Sequence, residues 1–344
     1  MSNMKRAITL KDIARETGVH VSTVSRALDP NGRSALTEDV VVRIRETAQR
    51  MGYRPNRLAS GLRTSRTMTV GIVIPDITNT IFPPILRGVE SVLEPIGYAS
   101  IIVNTDNAVE REVRLLDVLR ERGVDGIVHA AVPREDPRID VVVSQGTPVV
   151  TVNRRLDRPG IPAIVSDEEH GISLLMDHLH AAGHRRIAHI AGPEAFSTGQ
   201  ARLRAFGQTA ARLGIEAPPG NTIHAQRFHE REGMRCTEEL LDRGWPFTAL
   251  VCANDRLALG AIQALQGRGL TCPGDVSVTG FNDMPFLDLI PPGLTTVRIA
   301  QYDVGQAAAQ VLLRLMTGRA EEVAPETVLP VQLVCRGTVA PPRG

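Results

Sequence analysis

The chain has 344 residues, of which 42% are apolar and 22% charged, and its net charge is +1. That length exceeds one compact core and suits two or three domains, while the composition is globular rather than disordered or fibrous. No apolar run approaches the ~20 residues a membrane helix needs, and residues 1–10 lack the apolar stretch of a secretory signal, so a cytoplasmic protein is expected.

The small net charge hides an asymmetry. Residues 1–66 hold 13 Lys or Arg against 6 Asp or Glu, whereas the remainder holds 26 against 32. A basic module on an acidic body suits a polyanion partner, because the head attracts phosphates and the body repels them. Cys236, Cys252, Cys272 and Cys335 are scattered with no C-x-x-C pair, and are read as buried free thiols.

In chain order, Thr9 and Asp12 have the spacing of a capping box, followed by Leu10, Ile13 and Ala14 on one helical face. Gly18 is placed to end that helix in a left-handed conformation. A second helix is expected over residues 21–28, with Val24, Ala27 and Leu28 apolar on one side. A third runs from a Thr37 cap to about Met51, where Val41, Ile44 and Ala48 close a small core. Two short helices joined by a glycine turn describe a helix-turn-helix. Its second helix carries His20, Val21, Ser22, Thr23, Ser25 and Arg26 at or near the end that enters a major groove. Arg26 has the rigid fork that pairs with guanine O6 and N7. On pattern alone, a three-helix bundle for protein contacts fits as well.

From Thr67 the chain alternates strand and helix signals. Strands are expected at 70–75, 99–103, 126–130, 149–152, 163–166, 187–191, 250–253 and 276–281, with a last strand signal at 328–334. Helices are expected at 83–96, 110–122, 170–182, 201–213, 230–243 and 256–267. This order argues for parallel, doubly wound sheets, too many strands for one sheet, and a division near Ser166. Ligands then sit beyond the carboxyl ends of the strands, in a cleft between two lobes.

The run from Thr9 to Leu28 resembles the DNA-binding head of the LacI/GalR repressor family. Residues 51–56 and 58–64 resemble its hinge, and residues 71–79, 253–261, 275–283 and 294–296 continue the likeness along the body. The resemblance implies an α/β fold: a three-helix helix-turn-helix head over 1–55, a hinge helix and linker over 56–66, and a two-lobed body over 67–344. Within the body, lobe one spans 67–165 plus 299–328 and lobe two 166–298 plus 329–344, similar to periplasmic sugar-binding proteins. It places Val21, Ser22 and Arg26 as base readers, Asn56 as the hinge cap, Leu58 and Ala59 within the hinge helix, Leu62 as a minor-groove wedge, and Arg63 beside the DNA backbone. Arg57 and Ser60 depart from the family's usual hinge residues, and Val40–Val42 replace a more polar stretch.

For the cleft, Asp76, Ile81, Phe82, His129 and Asn153 are expected from lobe one, and Arg202, Phe228, Asn254 and Asn282 from lobe two. Asn153 and Asn282 stand where many relatives carry Asp. That substitution fits either an effector bearing a carboxylate or phosphate or a neutral sugar held by amides. The implied protein is a homodimeric regulator, a repressor, that binds pseudo-palindromic double-stranded operator DNA under control of a sugar or sugar-derived acid. No cofactor, catalytic residue or metal is expected, because no Gly-rich phosphate loop, nucleophile elbow or paired-carboxylate motif is present. His178, His180, His184 and His189 lack a metal-binding pattern, since Gly183 breaks the helix before His184. A transporter's solute-binding protein and an α/β enzyme are the other classes the body alone would allow.

Overall fold

The computed structural model describes residues 8–28, 36–53 and 66–343. The expected hinge residues Asn56, Leu58, Ala59, Leu62 and Arg63, and the departures Arg57 and Ser60, lie outside them. The chain divides into two compact units, Met1–Thr67 and Met68–Gly344.

In the first unit, α1 (Leu10–Thr17) starts with a reciprocal cap. The Thr9 N–H donates to Asp12 Oδ2 at 2.9 Å, and the Asp12 N–H donates to Thr9 Oγ1 at 3.4 Å. It ends at Gly18, whose φ of 69° is left-handed. α2 (Val21–Leu28) and α3 (Glu38–Met51) then pack so that Ile13, Val24, Ala27 and Ile44 are fully buried. An Arg50–Glu16 pair at 3.2 Å ties α3 to α1 on the surface.

The second unit contains two parallel sheets. The first has β1 (Thr69–Ile74), β2 (Ala99–Asn104), β3 (Gly126–His129), β4 (Val149–Val152), β5 (Ala163–Ser166) and β11 (Glu326–Leu329), in the order β11-β5-β4-β3-β1-β2. β3, β4 and β5 are buried at every position. Continuous apolar runs are what a parallel strand covered on both faces requires. α4 (Phe82–Leu93) and α11 (Gln301–Met316) cover one face through Ile85, Val89, Ala308 and Leu312. α5 (Val109–Glu121) and α6 (Pro137–Ser144) cover the other through Leu116, Leu119 and Ile139. α4 and α11 touch backbone to backbone: a Cβ at Gly88 would lie 2.1 Å from the Tyr302 carbonyl, and one at Gly305 would lie 2.0 Å from that of Ile85.

The second sheet has β6 (Ile187–Ala191), β7 (Thr222–His224), β8 (Ala249–Cys252) and β9 (Ser277–Thr279), in the order β7-β6-β8-β9. α9 (Glu230–Asp242) and α10 (Asp255–Gly267) pack on one face, and α7 (Glu168–Ala181) and α8 (Ser197–Leu213) on the other. An antiparallel ribbon of β10 (Thr296–Ile299) and β12 (Val331–Val334) lies beside it. The chain passes between the sheets at 166–168, between β10 and α11, and between β11 and β12.

Several elements differ from expectation. The helix expected to reach Ile96 ends at Leu93, and Pro95, which has no N–H, turns its end into a 3-10 segment over Glu94–Ile96. α6, β7, β10 and the 16-residue α11 were not anticipated. Of the cysteines, Cys236 and Cys252 are buried, but Cys272 is only partly so and Cys335 is exposed. Cys335 follows β12, whose two-stranded ribbon leaves one face in water.

Candidate functional site

In the head, burial of Val24 and Ala27 turns the opposite face of α2 outward. Ser22 and Arg26 are exposed there, with Thr23 and Ser25 half-buried. Just ahead, His20 Nδ1 accepts from the Ser22 N–H at 3.2 Å and lies 2.7 Å from Ser22 Oγ, so it caps the helix. Val21 differs from the others, packing partly against the head core. Arg26 has no ion-pair partner among the described residues, which leaves its fork available to an external acceptor.

In the body, the loops after the parallel strands meet in a cleft of about 450 Å³. That is within the range of roughly 300–1,000 Å³ typical of small-molecule sites. Eight of the nine expected residues line it: Asp76 after β1, Ile81 and Phe82 at the start of α4, Asn153 after β4, Arg202 on α8, Phe228 after β7, Asn254 after β8 and Asn282 after β9.

His129 does not reach the cleft. It is the last residue of the fully buried β3 and is itself 0% exposed. Its Nδ1 accepts from the Ala131 N–H at 3.2 Å, and its Nε2 lies 3.1 Å from Glu112 on α5. The pleat turns this side chain into the helix layer rather than past the strand end. His184 and His189 are likewise committed inside lobe two. His184 bonds Thr248, Ser277 and the Ala340 carbonyl, and His189 bonds the Val251 carbonyl.

The polar groups of the cleft are unequally occupied. Asp76 Oδ1 accepts from the Thr78 N–H at 2.8 Å and from its hydroxyl at 2.7 Å, while Oδ2 accepts from Arg256 at 2.8 Å. Burial pushes the Asp76 carboxyl up, but these bonds outweigh it and hold the pKa below the usual value. Arg202, 2% exposed, spends Nε on Glu168 and Nη1 on the Ala253 carbonyl, and its guanidinium lies 3.8 Å over Phe281. Burial pushes Glu168 up despite that partner. Asn254 caps α10, its Oδ1 accepting from the Leu257 N–H at 2.9 Å, so its amide NH₂ remains for a ligand. Asn153 and Asn282 have φ of 62° and 118°, backbone regions that Asn tolerates better than most side chains.

Sequence reasoning missed Arg154, Phe196 and Arg227, which also line the cleft. Arg154 directly follows Asn153 at a strand end, so its position was a usable signal. Phe196 and Phe228 form an aromatic wall, with centroids 6.4 Å apart. A Cβ at Gly192 would lie 2.5 Å from the Phe228 ring, so glycine is what lets that ring seat. The lobes touch around the cleft. The Arg134 N–H donates to the Ala195 carbonyl at 2.9 Å, the Arg155 N–H to Ser197 Oγ at 3.0 Å, and Arg154 lies 3.6 Å over Phe196.

Residues 9–56 match the model of bacterial regulatory proteins of the lacI family, and residues 176–339 match a periplasmic binding protein-like domain. The HTH-type transcriptional regulator RegA of Clostridium saccharobutylicum is 32% identical, over 96% of this chain and 98% of its own length. MalR of Streptomyces coelicolor, also an HTH-type transcriptional regulator, is 33% identical over 96% of each chain. The solved Lac repressor dimer bound to operator and the anti-inducer ONPF aligns at a TM-score of 0.85 and 27% identity, covering 97% of this chain and 100% of that one. These likenesses run over nearly the whole length of the chain and of each relative, and the chain belongs to the LacI family of bacterial transcription regulators.

Proposed function

We propose that this protein is a cytoplasmic, sequence-specific repressor that binds a pseudo-palindromic operator as a homodimer and changes operator affinity when a small effector enters the cleft. The observation that carries this reading is one chain holding both a helix with an exposed Ser22–Arg26 face and a cleft walled by residues from two sheets. The head would be 1–55, the hinge 56–66 and the body 67–344. His20, Ser22, Thr23, Ser25 and Arg26 would face DNA, with Val21 at the groove edge and Asn56, Leu58, Ala59, Leu62 and Arg63 in the hinge. Asp76, Ile81, Phe82, Asn153, Arg202, Phe228, Asn254 and Asn282 would hold a sugar or sugar-derived acid, which leaves unchanged because no turnover is involved. Exposed Ile77, Ile102, Val109 and Val113 on lobe one, and Phe286 and Leu289 on lobe two, support a partner subunit covering the body.

A single head makes few base contacts, so a two-fold dimer reading two half-sites is the geometry that gives tight binding. The test is selection of DNA from a random pool by the full-length protein, with and without sugars and sugar acids. Enrichment of a palindrome whose retention changes with one metabolite is expected. No palindrome under any condition would overturn the reading.

A further inference from the structure

Arg154 is the least compensated buried charge in the cleft, its one aromatic neighbour being Phe196 at 3.6 Å. It is 4% exposed and lines the cavity at the carboxyl end of β4. Its Nη1 reaches two neutral acceptors, the Ala131 carbonyl at 3.2 Å and Asn107 Oδ1 at 3.4 Å, and its Nε is buried with no partner. The acid that acts on it most, Glu112, is instead engaged by His129 at 3.1 Å and Arg138 at 3.7 Å. Burial pulls the guanidinium pKa down to about 9; Glu112 pushes it back and Arg202 adds to the fall. The group is therefore charged at neutral pH.

The acids on the cleft wall are already committed to protein partners. Asp76 serves Thr78 and Arg256, and Asp106 serves Asn104 at 2.6 Å and Arg111 at 2.5 Å. The amides are not: Asn282 Oδ1 is buried without a partner, and the Oδ1 and NH₂ ends of such an amide can exchange places. Of the two buried cations on this cavity, Arg202 is paired with Glu168 and Arg154 has no carboxylate bonded to it, while amide groups beside it keep an end without a protein partner. A buried charge is costly unless something pairs it.

We propose that the cleft takes a small hydroxylated anion, a sugar or polyol carrying a carboxylate or phosphate, whose oxyanion seats on Arg154 while Asn153 and Asn282 hold its hydroxyls. This rests on the cleft being the effector site. The planar fork of Arg154 matches either oxyanion through two nitrogens, which an ammonium or an amide cannot reproduce.

The test uses the full-length protein at constant ionic strength, with thermal unfolding and calorimetry against inorganic phosphate and the matched set of glucose, glucuronate, gluconate and glucose 6-phosphate. At least one oxyanion should stabilise the protein saturably and bind more tightly than glucose. The carboxylate and phosphate members separate the two sources. Arg154→Gln should weaken that binding by roughly 10- to 100-fold, the factor a charge-assisted hydrogen bond supplies, and Arg154→Lys should restore part of it. Without ligand, Arg154→Gln should melt no lower than wild type, whereas a purely structural arginine would leave a less stable protein. If Arg154→Gln does not fold, Arg154→Lys carries the test, and unchanged oxyanion affinity in it overturns the proposal. The proposal also fails if glucose binds more tightly than every charged member, or if no oxyanion stabilises wild type. An oxyanion that binds through Arg154 yet leaves operator affinity unchanged sinks the regulator reading and supports this one.

Discussion

His189 shows what one buried ring does to stability. Its Nδ1 bonds the Val251 carbonyl at 2.8 Å, its ring stacks on Phe206 with centroids 4.5 Å apart, and its Nε2 is buried without a partner. Burial pushes the pKa from 6.5 down to about 4; the Val251 bond opposes this, and His224 and Arg202 add to it. Between those values the unfolded chain takes a proton that the native ring refuses. Stability therefore falls as pH drops through that window, by about 3 kcal/mol in full. Urea unfolding across pH 4 to 7 should show the fall, and His189→Gln should flatten it. An unaltered slope in the variant would clear His189 of the role. The same scale explains where sequence reasoning on the site held and where it missed. Residues one to three positions past a strand, such as Asp76, Asn153, Asn254 and Asn282, were legible because parallel strands all deliver their ends to one edge. His129 was misjudged because one residue along a strand reverses which way a side chain points. Arg154 had a usable signal in its place beside Asn153, but that no carboxylate bonds it is a matter of tertiary pairing, which is not written in spacing.

At the scale of elements, two glycines on helices make opposite predictions. Gly88 on α4 faces the α11 backbone, where an added Cβ would sit 2.1 Å from a carbonyl oxygen. Gly207 on α8 is exposed, and an added Cβ meets nothing within 4 Å. Gly88→Ala should destabilise the body by about 1–3 kcal/mol through overpacking. Gly207→Ala should stabilise it by about 0.5–1 kcal/mol through helix propensity alone. Chemical denaturation of both variants against wild type decides the matter, and equal effects of one sign would contradict the helix contact. The inner strands β1, β3, β4, β5, β6 and β8 were readable because each is a short apolar run buried on both faces. α11 went unnoticed although its Ala-, Gln- and Leu-rich sequence is strongly helix-forming. It lies between two passages of the chain from lobe to lobe, where local pattern says nothing about which sheet an element will cover. β7 and β10, of 3 and 4 residues, are too short to show any period.

Across the whole body, two lobes joined by three passages of chain have the construction of a hinge, and beside the contacts around Phe196 an ion pair at one arginine ties them together. Arg256 on α10 clasps Glu230 through Nε at 2.7 Å and Nη2 at 2.9 Å, then reaches across the cleft with Nη1 to Asp76 of lobe one at 2.8 Å. The Glu230 clasp lies within lobe two and fixes the guanidinium, so the Asp76 bond adds attraction at little cost in side-chain ordering. Because the Asp76 carboxyl titrates below its usual value, the bond is intact at neutral pH and is lost only as acid drives the pH down through that lowered value. Asp76→Asn isolates the latch, since an amide oxygen still accepts from Thr78 while its NH₂ is turned toward a cation. If the bond contributes about 1–2 kcal/mol to closure, losing it shifts the ratio of open to closed forms by roughly 5- to 30-fold. An effector that binds the closed cleft then loses apparent affinity in proportion to the closed fraction. Small-angle scattering of the ligand-free full-length protein should give a larger radius of gyration for Asp76→Asn than for wild type, and a saturating effector should bring the two together. Superimposable scattering without ligand would mean that the aromatic and backbone contacts around Phe196, rather than Arg256, set the closed state.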